Sequence, residues 1–259
     1  MKQKILLLFC VLTLTISAQN TAIGSNEELV FTASYNISGL LTDIAQVKME
    51  TSEIKTSNST LLRLKCTATT FNKWDSFFKI RDLYESYVST TSLNPYLYKR
   101  DISEGGYYKF MQYKYDRKSN TVASIKRKRR KDGSYWDENN TLSISSDTKD
   151  IVSLLYNIRN LDIHKASPGD QNAFKVLFDN ETFTVNVRYI GQETIKTNIG
   201  TKACYKLSIS INNSDVLKGP ENNLLWFTAD KNKIPVFAKF KIPVGNGELK
   251  IISTSGLKN

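Results

Sequence analysis

The sequence contains one histidine, three cysteines, five prolines and twelve glycines among its 259 residues. One histidine excludes histidine-rich metal sites, and three cysteines are too few for a four-thiolate zinc or iron–sulfur site. The low glycine and proline contents exclude collagen-like and low-complexity chains. Apolar residues make up 40% of the chain and charged residues 24%, with a formal net charge of +11. We therefore expect a folded, basic protein that carries no metal and no cofactor.

The first 18 residues have the pattern of a secretory signal peptide. Lys2 and Lys4 precede an apolar stretch at 5–16, and Ser17 and Ala18 are small residues of the kind found before a cleavage site. That stretch is too short to cross a bilayer, which takes about 20 residues, and no later run approaches this length. The pattern predicts export and a mature chain without a transmembrane span.

Alternation of apolar and polar residues dominates the mature sequence and predicts strands, for example at 29–37, 183–189 and 205–211. Asp179 and Asn180 separate two such runs and have the turn chemistry of a tight hairpin. We count about a dozen strands at the spacing of an antiparallel sandwich or barrel. No linker or repeat divides the chain, which predicts a single β-rich domain over 19–259.

One segment has helical periodicity instead. Its apolar stripe consists of Ile151, Leu154, Leu155, Ile158 and Leu161. Asp147 is predicted to cap the start, with Asp150 in the first turn and Arg159 in the last. A single strongly periodic helix argues against alternating βαβ units and a parallel sheet.

Five segments resemble an uncharacterised family of exported Gram-negative bacterial proteins, domain of unknown function 3108. They are 80–109, 150–162, PGD at 168–170, 178–207 and 230–236. The resemblance implies no activity, but it implies a periplasmic or envelope location and an antiparallel, partly closed barrel, similar in broad shape to periplasmic lipoprotein carriers. The expected fold is therefore mainly β: a single antiparallel, strongly curved sheet or partly closed barrel of about a dozen strands with one main helix.

A basic run, KRKRRK, is the densest charge cluster in the chain. It consists of Lys126, Arg127, Lys128, Arg129, Arg130 and Lys131. Strand alternation points three cations to each face, and buried unpaired cations are costly, so we expect neither face to be core and the run to lie at a hairpin tip or sheet edge. Its function would be contact with an anionic envelope surface. The alternative is a solvated edge that resists aggregation. The signal peptide argues against nucleic acid as a partner.

Eight of the 13 tyrosines fall within 32 residues. A candidate surface for an apolar or glycan ligand is formed by Tyr84, Tyr98, Tyr107, Tyr113 and Tyr115. The alternative is that tyrosine simply suits strands and packs half-buried across them. The two cysteines of the mature chain, Cys66 and Cys204, could pair after export, but the favoured interpretation is that each is a small buried strand residue.

Four acids alternate with these tyrosines: Asp82, Glu85, Asp101 and Glu104. A pair of them could serve glycoside hydrolysis, although Arg81 and Arg100 offer ordinary ion pairing instead. His164 is the only imidazole, and no Gly-x-Ser-x-Gly segment supplies a nucleophile for it.

The sequence therefore favours a non-enzymatic envelope protein that holds a lipid-like or glycan ligand in or on a curved sheet. Two alternatives stay open. The first is a structural or interaction protein that docks on anionic envelope components through the basic hairpin, and the second is a glycan hydrolase.

Overall fold

Fourteen antiparallel strands form one sheet within the residues that the computed structural model describes, which are 19–37, 39–211, 223–242 and 245–259. The predicted signal peptide lies outside the described residues. The strands are β1 (Glu28–Ile37), β2 (Leu40–Lys55), β3 (Thr60–Thr70), β4 (Arg81–Ser89), β5 (Pro95–Glu104), β6 (Tyr107–Asp116), β7 (Thr121–Arg129), β8 (Tyr135–Ser143), β9 (Gln171–Phe178), β10 (Glu181–Thr197), β11 (Gly200–Ile211), β12 (Leu224–Thr228), β13 (Pro235–Ile242) and β14 (Gly245–Ser255).

The strand order is β8-β7-β6-β5-β4-β3-β2-β1-β14-β13-β12-β11-β10-β9. Every pair joins strands that are consecutive in the chain except β1 with β14, and the consecutive strands β8 and β9 form the two edges. The sheet curls until its two edges approach each other. Lys149, which follows β8, forms an isolated bridge with Val176 of β9. The predicted curved sheet or partly closed barrel is confirmed, with fourteen strands in place of about a dozen.

Because every pair is antiparallel, the connections fall alternately at two ends of the sheet. We call one of these ends the upper end. It carries Gly39, the β3–β4 loop at 71–80 and the turns at 105–106, 130–134 and 179–180. The lower end carries the opposite turns. The predicted turn at Asp179 and Asn180 is confirmed, and both residues adopt positive φ angles of 54° and 70°.

The main helix, α1 (Ile151–Ile158), lies against the concave face of the sheet. We predicted Asp147 as its N-cap, which is wrong because the helix begins at Ile151. The cap is Asp150, whose side chain accepts a hydrogen bond of 2.8 Å from the Ser153 amide, while the Ser153 hydroxyl accepts one of 3.0 Å from the Asp150 amide. This reciprocal pair satisfies two of the free N–H groups at the helix start.

Arg159 follows the helix and is fully buried. Instead of remaining in solvent beside the helix dipole, its guanidinium binds Glu27 through two hydrogen bonds of 2.5 and 2.7 Å. It also donates to the backbone carbonyls of Asn232 and Ala22 at 3.1 and 3.3 Å. One buried side chain therefore joins the helix end to the segment before β1 and to the β12–β13 connection.

The helix divides the concave face into two hydrophobic clusters. Val152 and Tyr156 pack into the larger one, which includes inward residues of β1 to β7 and which we call the packed half. Leu154 and Ile158 pack against β9 to β12, which we call the cavity half. The helical stripe predicted from the sequence is thus shared between two surfaces.

Candidate functional site

An apolar cavity of about 640 Å³ lies between α1 and the cavity half. The helix contributes Leu154 and Leu155 to its wall, and the strands contribute Phe183, Ile209 and Leu225. These strand residues lie on one face of β10, β11 and β12 because alternate residues of a strand point the same way. The volume lies within the range of 300–1,000 Å³ that is typical of small-molecule sites, and apolar lining is typical of them as well.

One end of the cavity is polar and lies at the upper end of the sheet. Asp179, in the β9–β10 turn, accepts a hydrogen bond of 2.7 Å from Arg100 and another from Lys109. Both cations are largely buried on the inward face of β5 and β6. Burial alone would raise the pKa of Asp179, but the Lys109 hydrogen bond and the Arg100 charge outweigh it and hold that pKa below its usual value.

This cluster also fixes the β9–β10 hairpin against β5, β6 and β7. The Arg100 guanidinium lies 4.3 Å from the ring centre of Phe178, which lines the cavity. The Asn180 amide donates to the Tyr113 hydroxyl at 2.9 Å, and the Ser124 hydroxyl donates to the Asn180 side chain at 2.6 Å. The wall of the cavity is therefore anchored to strands on the far side of the sheet.

The five tyrosines predicted as a ligand surface do not gather around this cavity. Tyr98, Tyr113 and Tyr115 are buried in the packed half, where the first two rings stack with centres 5.5 Å apart. Tyr84 packs half-buried against the same cluster, and Tyr107 is half-exposed at the upper end. Four of the five thus serve as core residues, because strand alternation turns them inward against α1 and its neighbours.

The four acids divide between the two faces of the sheet. Asp82 and Glu104 share the inward face, where burial and a hydrogen bond with Glu104 raise the pKa of Asp82 to about 7. Glu85 lies on the opposite face and pairs with Arg63, and Asp101 shares that face. Neither Asp82 nor Glu104 lines the apolar cavity.

The basic run lies where the sequence places it, at the tip of the edge hairpin β7–β8. Lys126 turns inward but is only partly buried, and its ammonium lies 3.9 Å from Glu138. Arg127 pairs with Asp137 at 2.7 Å. Acidic residues of β8 therefore offset part of the positive charge of the basic run. The sequence analysis missed this pairing, although the turn at Asp132 and Gly133 sets the register of β7 against β8.

The remaining cations of the basic run are not paired with acids within the described ranges and could contact a partner. Lys128 lies 5.7 Å from the ring centre of Trp136. Arg129, Arg130 and Lys131 are exposed, and they make no ion pair with any residue that the structure describes.

The other candidate residues have simple environments. His164 is exposed, with Nδ1 2.8 Å from Asp162. Cys66 of β3 is half-buried and Cys204 of β11 is buried, and both are free thiols. Within 19–37, 39–211, 223–242 and 245–259, no three His, Cys, Asp or Glu side chains come together as a metal site would require. No helix in those ranges reaches the length and apolarity needed to cross a bilayer.

The curved sheet around one helix defines a β-barrel-like protein with an apolar cavity beside the helix. The chain belongs to the family described as Protein of unknown function (DUF3108), whose model matches residues 30–252, and the predicted family resemblance is thereby confirmed. No curated protein matches the chain.

Two solved structures are similar to this chain. One is a beta-barrel-like protein of domain of unknown function DUF1849 from Brucella abortus, with 7% identity over 91% of this chain and 98% of that chain and a TM-score of 0.53. The other, from Bacteroides fragilis, is described as exported and as having a YmcC-like fold. It shows 8% identity over 90% of this chain and 97% of that chain, with a TM-score of 0.35. The first supports the fold alone, and the second is too distant to support an argument.

Proposed function

We propose that this protein binds a lipid-like ligand, without chemical conversion, in the apolar cavity between α1 and β9 to β12. The observation that carries the proposal is the cavity itself, with its volume of about 640 Å³ and its predominantly aliphatic and aromatic wall. We further propose that it does so after export, in the periplasm or cell envelope, which is where the signal-peptide pattern and the family resemblance would direct it.

The character of the wall favours an acyl chain over a glycan. A sugar would bring many hydroxyl groups against Leu155, Phe183 and Leu225, and a buried hydroxyl without a hydrogen-bond partner is costly. The buried cations at the polar end of the cavity, Arg100 and Lys109, are already engaged by Asp179. An acyl chain needs only apolar contact, so the cavity suits its hydrocarbon portion.

A fluorescent fatty acid tests this proposal directly. We expect saturable binding to the native protein, and we expect Ile209→Trp, which fills the cavity, to weaken binding by at least about tenfold. Ile190→Trp on β10 is the matched control, because Ile190 is exposed and does not line the cavity. The absence of saturable binding, or equal binding by the two folded variants, would refute the proposal.

A second candidate function is docking on anionic envelope components through the β7–β8 hairpin. It is supported by the three exposed cations Arg129, Arg130 and Lys131, which lack acidic partners among the described residues. Their joint replacement by glutamine should abolish salt-sensitive retention on an acidic polysaccharide column. Unchanged retention would remove this candidate.

A further inference from the structure

Exposed apolar side chains are concentrated at the upper end of the sheet. Eight large hydrophobic side chains are exposed in the part of the chain that the structure describes, and six of them lie at this end: Leu40, Leu41, Phe77, Phe78, Tyr107 and Tyr135. Phe77 and Leu40 are 80% and 70% exposed. Single exposed hydrophobic residues are ordinary on protein surfaces, but their collection at one end points to an interaction surface.

The β3–β4 loop presents Phe77 from a fixed backbone. The Trp74 indole donates to the Asp43 carbonyl at 2.8 Å, which ties the loop to β2. The Gly105 amide donates to the Lys79 carbonyl at 2.9 Å, which ties it to the β5–β6 turn. The ring of Phe78 covers Gly105 so closely that a Cβ atom there would overlap it. The loop that carries the exposed Phe77 is therefore fixed to its neighbours on both sides.

The upper end also carries positive charge, and the exposed cations adjoin the exposed apolar side chains. Tyr107 and Tyr108 border a hollow whose other side is the basic tip from Arg129 to Lys131. Tyr107 in turn follows the 105–106 turn on which Phe78 rests. Lys73 and Lys79, in the β3–β4 loop, are exposed as well.

Acids at this end partly offset those cations. Asp75 binds Arg81, and Asp132 accepts hydrogen bonds within its own turn. Glu181 is exposed beside the cavity. The three cations of the basic tip nevertheless keep no acidic partner among the described residues.

We propose that the upper end is a membrane-docking surface, which places Phe77 and Leu40 at the level of the lipid headgroups and the basic tip against anionic phosphates. An interfacial site combines buried apolar area with attraction to anionic lipid, and both components lie here side by side. An acidic polysaccharide would satisfy the cations but would offer no apolar phase to Phe77. The inference extends the second candidate function and does not require a ligand in the cavity.

The cavity lies near the proposed docking surface, which suggests that docking supplies its ligand. Phe178 and Asp179, which line the cavity, belong to the β9–β10 hairpin at the same end. Docking would thus bring the cavity wall close to the lipids from which a ligand could be drawn.

Vesicle flotation of the mature chain, residues 19–259, tests the inference, because the apolar stretch at 5–16 would itself enter vesicles. The vesicles are phosphatidylcholine alone and phosphatidylcholine mixed with phosphatidylglycerol. The native protein should float with the anionic vesicles, and salt should weaken its binding. Phe77→Ser with Leu40→Ser should reduce binding about tenfold, because apolar area no longer enters the interface. Glutamine at Arg129, Arg130 and Lys131 should reduce binding and flatten its salt dependence.

Two matched controls remove comparable groups elsewhere. Tyr96→Ser with Ile190→Ser removes the two exposed hydrophobic side chains that lie away from the upper end. Glutamine at Lys55, Lys118 and Lys196 removes three exposed cations from the lower end. Both controls should float like the native protein, as should the cavity-filled Ile209→Trp.

Two outcomes would overturn the inference. If the Phe77 and Leu40 variant floats normally while the basic-tip variant does not, the contact is purely electrostatic, and only the second candidate function survives. If the native protein ignores anionic vesicles but is retained by an acidic polysaccharide, the partner is a glycan. Thermal unfolding of each variant confirms that the fold is intact.

Discussion

The two halves of the concave face differ in how tightly they pack against α1. In the packed half, Tyr98 and Tyr113 stack on each other and leave α1 little free space. In the cavity half, aliphatic residues such as Leu225 and Ile209 face the helix across a cavity of about 640 Å³. The clustered tyrosines fill the space beside the helix in one half, whereas the other half, lined mainly by aliphatic side chains with Phe178 and Phe183, leaves a cavity.

The largest expected effect comes from the ion pair that holds the helix between the halves. Arg159→Ala leaves the buried Glu27 carboxylate without its partner, which typically costs about 3–5 kcal/mol. Urea unfolding would measure this loss. Lys258→Ala, which removes a cation hydrogen-bonded to the exposed Asn20 carbonyl, is the control and should change little. A loss below about 1 kcal/mol would mean that the pair does not anchor the helix.

Two leucine truncations compare the halves. Leu64→Ala removes a fully buried side chain from the packed half and should cost about 3–4 kcal/mol, because its neighbours cannot close the gap. Leu225→Ala removes a side chain that is only partly buried and already borders the cavity, so fewer contacts are lost and the change should cost about 1–2 kcal/mol. Equal losses in denaturant unfolding would contradict the claim that the halves differ in packing.

A smaller effect is expected at the helix cap, which belongs to the packed half. Asp150→Ala loses the hydrogen bonds from the Ser153 amide and the Ser86 hydroxyl, and should cost about 1–2 kcal/mol. Asp150→Asn keeps an acceptor oxygen and should recover part of that stability. Asp147→Ala serves as the control, since Asp147 is not the cap, and a comparable loss there would restore our first assignment.

The stability of the packed half should depend on pH through Asp82. The pKa of Asp82 is raised from 3.8 to about 7, so the folded chain holds a proton that the unfolded chain releases. The stability from this proton is fully present below about pH 4 and is lost as the pH rises through 7. Asp82→Asn should therefore reduce the decline in unfolding free energy between pH 5 and pH 8. If the unfolding free energy of Asp82→Asn declines as steeply as that of the native protein, Asp82 is not the group with the raised pKa.

Local patterns predicted most of the fold. Apolar alternation indicated the strands, the stripe from Ile151 to Ile158 indicated the helix, and Asp179-Asn180 indicated its hairpin, because each signal lies within a few neighbouring residues. Choosing the helix cap required knowing where the first turn begins, and Asp147 and Asp150 are chemically equal candidates for it.

The site was less predictable because it depends on contacts between distant segments. The cavity exists only where α1 meets β9 to β12, and the pairs Arg159–Glu27 and Arg100–Asp179 join residues far apart in the chain. The pairing of Arg127 with Asp137, by contrast, could have been obtained from the hairpin register around Asp132-Gly133.

Photo-crosslinking with a fatty acid that carries a diazirine at its chain end tests the central claim most directly, because mass spectrometry of the digested protein shows which half holds the chain. The account predicts crosslinks in α1 and in β9 to β12, and their loss in Ile209→Trp but not in Ile190→Trp. Crosslinks confined to β4 to β6, among the stacked tyrosines, would contradict it.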